Sequence, residues 1–348
     1  MRLRLAIGAL VALVALGCGA PAGANGRSLE LEFRGQAIMP TGTTFAGTTV
    51  GGLSSITYDR RRDVFYTVSD DQIQARFYTV ALEVRDGRLT DTDVRFVDVT
   101  TLLAPDGLPY PPMSLDPEGL VLTKDRELIL TSEGLPANLI NPFVRRHSLR
   151  GAFLGSLPVP GAFDVTADRS SGVRPNLGFE SAGVHGRHLF VGAENALYQD
   201  GPAATVANGS PARILRYNLR TRRVDREWVY VTDPVAEPPV PATQFSVNGL
   251  VELLPLDDHH LIAMERSFSV GAPDTGNTIK LYAVTLGHHT AQKTLLLDLD
   301  ELGIPLDNVE GMTFGPRLRN GRRSVVLVSD NNFAATQFTQ FLLFTLRD

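Results

Sequence analysis

Residues 116–134 read Asp116-Pro117-Glu118-Gly119-Leu120-Val121-Leu122-Thr123-Lys124-Asp125-Arg126-Glu127-Leu128-Ile129-Leu130-Thr131-Ser132-Glu133-Gly134. The apolar runs at 120–122 and 128–131 are too short for helices, and the polar turn at 124–126 lies between them. Short apolar runs bounded by turn residues read as a β-hairpin. This hairpin opens on an acid-glycine pair and closes on Ser132-Glu133.

The same plan recurs four times, and a repeat of this kind decides the architecture. Before it, 51–56 turns at 59–63 into 64–68 and ends at Ser69-Asp70-Asp71. After it, 180–184 turns at 185–187 into 188–192 and ends at Ala193-Glu194-Asn195. The fourth copy runs 248–252, 256–260 and 261–263 to Met264-Glu265-Arg266. The fifth runs 310–314, 317–322 and 324–328 to Ser329-Asp330-Asn331. The closing acids Asp70, Glu133, Glu194, Glu265 and Asp330 are spaced by 63, 61, 71 and 65 residues. That period exceeds a solenoid turn and suits a four-stranded propeller blade with long loops.

Third strands are expected at 76–82, 143–149, 213–219, 280–286 and 340–346, and outer strands at 95–99, 152–157, 227–232 and 293–297. The fifth repeat lacks an outer strand, and 29–38 is left over at the other end of the chain to supply it. Such a closure removes an exposed sheet edge. The expectation is an all-β chain forming a single β-propeller of five blades, closed by an N-terminal strand. Six blades would require splitting one long repeat.

Composition agrees with one large β domain. The 348 residues are 43% hydrophobic and 20% charged, with a formal net charge of −5, and the 32 glycines and 22 prolines fall between strand-length runs. No basic excess points to nucleic acid. Residues 1–18 read as a signal: Arg2 and Arg4 precede an apolar stretch at 5–16, too short to span a bilayer comfortably. The stretch ends at Ala15-Leu16-Gly17-Cys18, which resembles a bacterial lipoprotein signal. Cys18 is the chain's one cysteine and the expected lipidation site, with an ordinary secretory signal as the alternative. Residues 19–28 then form a tether and 29–348 the propeller. The expected location is the bacterial cell envelope, lipid-anchored, or outside the cell. A monomer is expected.

In a blade the first strand lines the channel and the second runs antiparallel to it. The start of one and the end of the other therefore share a face. This places Gly51, Glu118, Glu180, Asn248 and Glu310 beside Asp70, Glu133, Glu194, Glu265 and Asp330 at one mouth. Clustered carboxylates repel and raise one another's pKa unless cations intervene. Ca²⁺ is the natural ion, taking six to eight oxygen ligands, and Asn195, Asn248, Asn331 and Asn332 can add neutral oxygens. The other remedy is basic: Arg76, Arg213 and Lys280 begin three third strands at that face, with Arg145 and Arg146 near a fourth. Turn-forming acids that merely cap blade turns would look alike one at a time. Recurrence in five repeats sets this pattern apart. His185, His188, His259 and His260 fall in turns at the opposite face, and Trp228 on an outer strand is expected to pack between blades.

The motifs Asp116-Pro117-Glu118-Gly119-Leu120, Ser132-Glu133-Gly134, Asn308-Val309-Glu310-Gly311-Met312 and Ser329-Asp330-Asn331-Asn332 resemble the phytase-like family, labelled "esterase-like activity of phytase". The likeness, which includes Gly51-Gly52-Leu53-Ser54 and Ala193-Glu194-Asn195, covers roughly 47–346. It implies similarity to β-propeller phytases, which use calcium at an acidic mouth to hydrolyse phosphomonoesters. The implied ligands are Glu118, Glu133, Glu180, Glu194, Glu265, Glu310 and Asp330, with Asp70 joining from its place in the ring. Arg76, Arg213, Lys280 and Asn248 are the expected substrate contacts.

Two functions follow. One is a calcium-dependent phosphoesterase or esterase acting on a small ester. The other is a non-catalytic propeller that holds a ligand or protein at the cell envelope. A mouth with all its acids paired to arginines would favour the second. Lactonase-like hydrolysis at one channel metal fits the surplus of acids less well.

Overall fold

The computed structural model describes residues 29–347. The expected signal at 1–18, Cys18 and the expected tether at 19–28 lie outside the described residues. The chain forms five four-stranded antiparallel sheets, a five-bladed propeller, with helix among the described residues confined to four short 3₁₀ turns. From the channel outward, the first blade is Leu53–Asp59, Val64–Ser69, Arg76–Leu82 and Val94–Thr101. The second is Pro117–Leu122, Glu127–Ser132, Phe143–Ser148 and Phe153–Leu157. The third is Phe179–His185, His188–Ala193, Pro211–Asn218 and Arg223–Val231. The fourth is Ser246–Pro255, His260–Ser269, Asn277–Leu286 and Ala291–Asp298. The fifth is Asn308–Arg317, Arg323–Asp330, Phe338–Arg347 and, outermost, Glu30–Pro40 from the N-terminal end.

Burial explains the strand sequences. A middle strand is covered on both faces by neighbouring blades, so Phe338–Arg347 is apolar and buried over most of its length. An outermost strand is covered on one face, and Arg223–Val231 alternates accordingly. The core is not one mass but a ring of interblade clusters. Between blades one and two, Val68 and Phe77 meet Leu120 and Leu130. Between three and four, Phe190, Ile214 and Trp228 meet Leu250 and Leu261. Val251 and Met264 meet Met312 and Leu327 between four and five, and Leu53 and Tyr78 meet Val328 and Phe341 between five and one. Trp228 donates its indole N–H to the Gly287 carbonyl at 2.8 Å across the blade boundary.

Every inner strand carries a bulge, which shifts the alternation of its side chains at that point. The bulged residues are Ser54, Glu118, Glu180, Val251 and Glu310. Deeper in the channel, the Glu252 carboxylate is buried on the axis. It accepts from Leu253 N at 2.9 Å, Ala182 N at 3.0 Å and the Ser55 hydroxyl at 3.1 Å, which joins blades four, three and one. Gly311 is needed here, since a Cβ on it would sit 2.9 Å from Ser55 Cα.

Candidate functional site

The bulges and the ends of the second strands meet at one mouth, around a cavity of about 910 Å³. Asp70, Glu118, Glu180, Glu194, Glu310 and Asp330 line it, as the repeat led us to expect. Glu133 sits directly behind them, and its Oε1 accepts from Gly178 N at 2.9 Å. Asp116, Asp274 and Asp307 also line the cavity. Asp116 stands two residues before the bulged Glu118, so its position depends on a bulge that an apolar pattern does not reveal.

Two overlapping groups, Asp116-Glu118-Glu133 and Glu133-Glu180-Glu194, each bring three carboxylate oxygens within 4.8 Å of one another. All five side chains are buried. Glu133 belongs to both groups, so its carboxylate stands among the oxygens of four other acids. Burial, reinforced by the charge of Glu310, pushes Asp70 up to about 7. Burial pushes Asp116 up to about 6, Glu194 to about 7 despite Arg266, and Glu133 to about 8. Burial together with neighbouring carboxylates holds Glu118, Glu180 and Asp330 well above the usual carboxylate range. Asp70 Oδ1 and Glu194 Oε1 are buried with no hydrogen-bond partner. The backbone is shaped around the first of these: Gly52 has φ +62°, and a Cβ there would meet Asp70 Oδ1 at 1.8 Å. An all-oxygen donor set with orphaned carboxylate oxygens fits a hard cation such as Ca²⁺.

The fourth blade departs from the pattern. Arg266 pairs with Gly249, two residues before the bulged Val251, just as Asp330 pairs with Asn308, two residues before the bulged Glu310. Arg266 therefore occupies the place that Asp70, Glu133, Glu194 and Asp330 hold in the other blades. Its Nη2 lies 2.9 Å from Glu310 Oε1 and 3.6 Å from Glu194 Oε1. It is the one cationic residue among those lining the cavity. Glu265, one residue earlier, faces away into a side pocket. There it accepts from Tyr230 Oη at 2.7 Å and Asn248 Nδ2 at 2.9 Å, and it pairs with Lys293, which also holds Asp233 at 2.7 Å. Glu265 and Asn248 thus lie outside the carboxylate ring.

The three expected basic contacts also point elsewhere. Arg76 is pinned to Asp71 at 2.5 Å and to the Tyr78 hydroxyl at 2.8 Å. Arg213 is held by Asp200 at 2.6 Å and Glu227 at 2.8 Å, and Lys280 lies 3.5 Å from Asp298. At the opposite face His188 and His185 share Asp258, at 2.8 and 3.4 Å, and His260 meets Asp257.

A family model described as "Phytase-like: Esterase-like activity of phytase" matches residues 48–333. Among solved structures the chain is similar to a thermostable family-43 glycoside hydrolase, with TM-score 0.52 and 8% identity, over 86% of this chain and 91% of that one. It is also similar to an endo-arabinase from Bacteroides thetaiotaomicron VPI-5482, with TM-score 0.46 and 13% identity, over 91% and 98% of the two chains. An alpha-L-arabinofuranosidase from Lactobacillus brevis gives TM-score 0.48 and 9% identity, over 86% and 92%. At these identities the likeness concerns the fold alone. No curated protein sequence matches the chain significantly.

Proposed function

The chain belongs to the phytase-like family, and from that premise we propose that it is a calcium-dependent phosphoesterase or esterase acting on a small ester at its acidic mouth. The observation that carries this reading is the pair of buried carboxylate groups sharing Glu133, with an oxygen on Asp70 and one on Glu194 that accept no hydrogen bond beside the same cavity. Such a cluster is costly without counter-charge, because desolvation and mutual repulsion both oppose ionisation. Asp116, Glu118, Glu133, Glu180 and Glu194 would hold the cations. Bound there, a divalent cation supplies Lewis acidity toward a phosphoryl or carbonyl oxygen and lowers the pKa of a coordinated water.

The chain's own residues divide the remaining work. Asn308 Nδ2 donates to Glu310 at 2.8 Å and to Asp330 at 3.3 Å, which fixes both carboxylates at the rim. Arg266 is anchored by Glu310 and sets one positive charge among the carboxylates, with its buried Nε lacking a hydrogen-bond partner. A cavity of about 910 Å³ with a single arginine leaves room for ions and a small ester, which favours hydrolysis over a purely ion-paired scaffold. The protein is further proposed to be exported and tethered to the cell envelope through Cys18, and to act as a monomer. Loss of palmitate labelling in Cys18→Ser tests the tether.

The direct test joins metal content to turnover. Purified protein is expected to retain calcium, to melt at a lower temperature after chelation, and to release phosphate or alcohol from a panel of model esters only with calcium present. Absence of both a calcium-dependent melting shift and turnover across phosphomonoesters and carboxylic esters would overturn it.

A further inference from the structure

The walls of the mouth differ in character around its circumference. Nine carboxylates and one arginine, Arg266, are among the residues that line it. Its apolar lining includes Leu177, which leads into the third blade, Ala204, which follows that blade's second strand, and Phe245, Val247 and Phe268, at and in the first two strands of the fourth. Phe245 is 61% exposed although it borders a deep cavity, and its ring lies 6.3 Å from that of Phe268. A single exposed aromatic needs no explanation, but a run of apolar side chains continuous with a polar floor is the make-up of a ligand site.

We infer that the mouth takes an ester with one anionic head group and an apolar body, its head on the carboxylate-bound cations and its aryl or alkyl group against the Phe245–Phe268 wall. This rests on the calcium-dependent reading above and deepens it. Charge argues against a polyanionic substrate. The nine carboxylates of the lining outnumber the charge that cations in the two groups and Arg266 supply, so each further phosphate meets net negative surroundings. Arg266 is already engaged by Glu310, and Arg76, Arg213 and Lys280 are held by partners of their own. The wall offers the compensating gain, since desolvating an aromatic group is favourable in proportion to the apolar area covered.

Calorimetric titration of the full mature protein separates the possibilities without turnover. Calcium alone is titrated first, then methylphosphonate, 1-naphthylmethylphosphonate and propane-1,3-bisphosphonate into calcium-saturated protein. The naphthyl compound is expected to bind at least about tenfold more tightly than methylphosphonate, and the bisphosphonate no more tightly than methylphosphonate. Phe245→Ala is expected to remove most of the naphthyl advantage while calcium affinity stays as it was. Calcium binding followed by equal affinity for the naphthyl and methyl compounds overturns the apolar wall and leaves the metal reading standing, as does a preference for the bisphosphonate. A protein that binds no calcium brings down both.

Discussion

Moving a β-strand residue by one position turns its side chain to the opposite face of the sheet. In the fourth blade that rule separates Glu265, clamped to Lys293, from Arg266, which projects into the carboxylate ring. The two acids Glu133 and Glu265 therefore respond oppositely to neutralisation. Glu133→Gln removes a desolvated carboxyl from both candidate cation groups. It is expected to raise the melting temperature of chelated protein and to weaken calcium binding by at least about tenfold. Glu265→Gln leaves Lys293 its partner Asp233 but weakens the bonds from Tyr230 and Asn248, and is expected to cost about 1–2 kcal/mol in urea unfolding while calcium affinity is unchanged. Arg266→Met removes the ring's cation. At pH 8 without calcium it should destabilise the fold by about 3 kcal/mol, and in calorimetry it should tighten calcium binding by about tenfold. The recurring acids made most of this ring readable from sequence. The fourth copy misled because Met264-Glu265-Arg266 offers an acid at the expected distance, while the bulge at Val251 that resets the register leaves no mark in an apolar run.

At the level of elements, strands lie at their apolar runs, and Arg76–Leu82 begins and ends where its sequence pattern does, whereas the fourth blade's second strand, expected over 261–263, runs from His260 to Ser269. The loops between them were less readable, because their conformations depend on partners far away in the chain. Arg213 is an example: its strand was foreseen, but its guanidinium is captured by Asp200 in the preceding loop. The outermost strand of the fifth blade comes from the far end of the chain, with Leu31 opposite Leu346 and Ala37 opposite Phe341. Ala37 is fully buried, and the Phe33 and Phe344 rings lie 5.5 Å apart. A variant beginning at Thr41 would bare the ladder of Phe338–Arg347, a strand rich in phenylalanine and leucine. Such an edge recruits other chains. Size-exclusion chromatography is expected to show this variant as oligomers or aggregate, and a monomeric, cooperatively melting product would contradict the assignment.

Across the whole molecule the two faces of the ring respond oppositely to pH. At the mouth, Asp116, Asp70, Glu194 and Glu133 are raised by burial to about 6, 7, 7 and 8. Between their unfolded values, near 4, and these folded ones the native state holds more protons than the unfolded chain. Without calcium, stability therefore falls as pH rises through that window and the loss is complete above it. At the other face burial opposes ionisation of Asp59, yet hydrogen bonds from Arg126 at 2.6 and 2.7 Å and from Tyr66 hold it down to about 2. Its contribution is present above pH 4 and lost as pH falls toward 2. Scanning calorimetry of chelated protein is expected to show the melting temperature declining from pH 5 to 8, with calcium abolishing the decline. Parallel curves with and without calcium would contradict it.

Glu252 gives the ring a further property. Because its carboxylate is tied to blades four, three and one, it braces the inner strands against one another beneath the carboxylate rim. If esters are hydrolysed at that rim as proposed, acid product and incoming ester compete for the same carboxylate-bound cations. Steady-state kinetics should show the anionic product as a competitive inhibitor, with its release slowing turnover when substrate is plentiful.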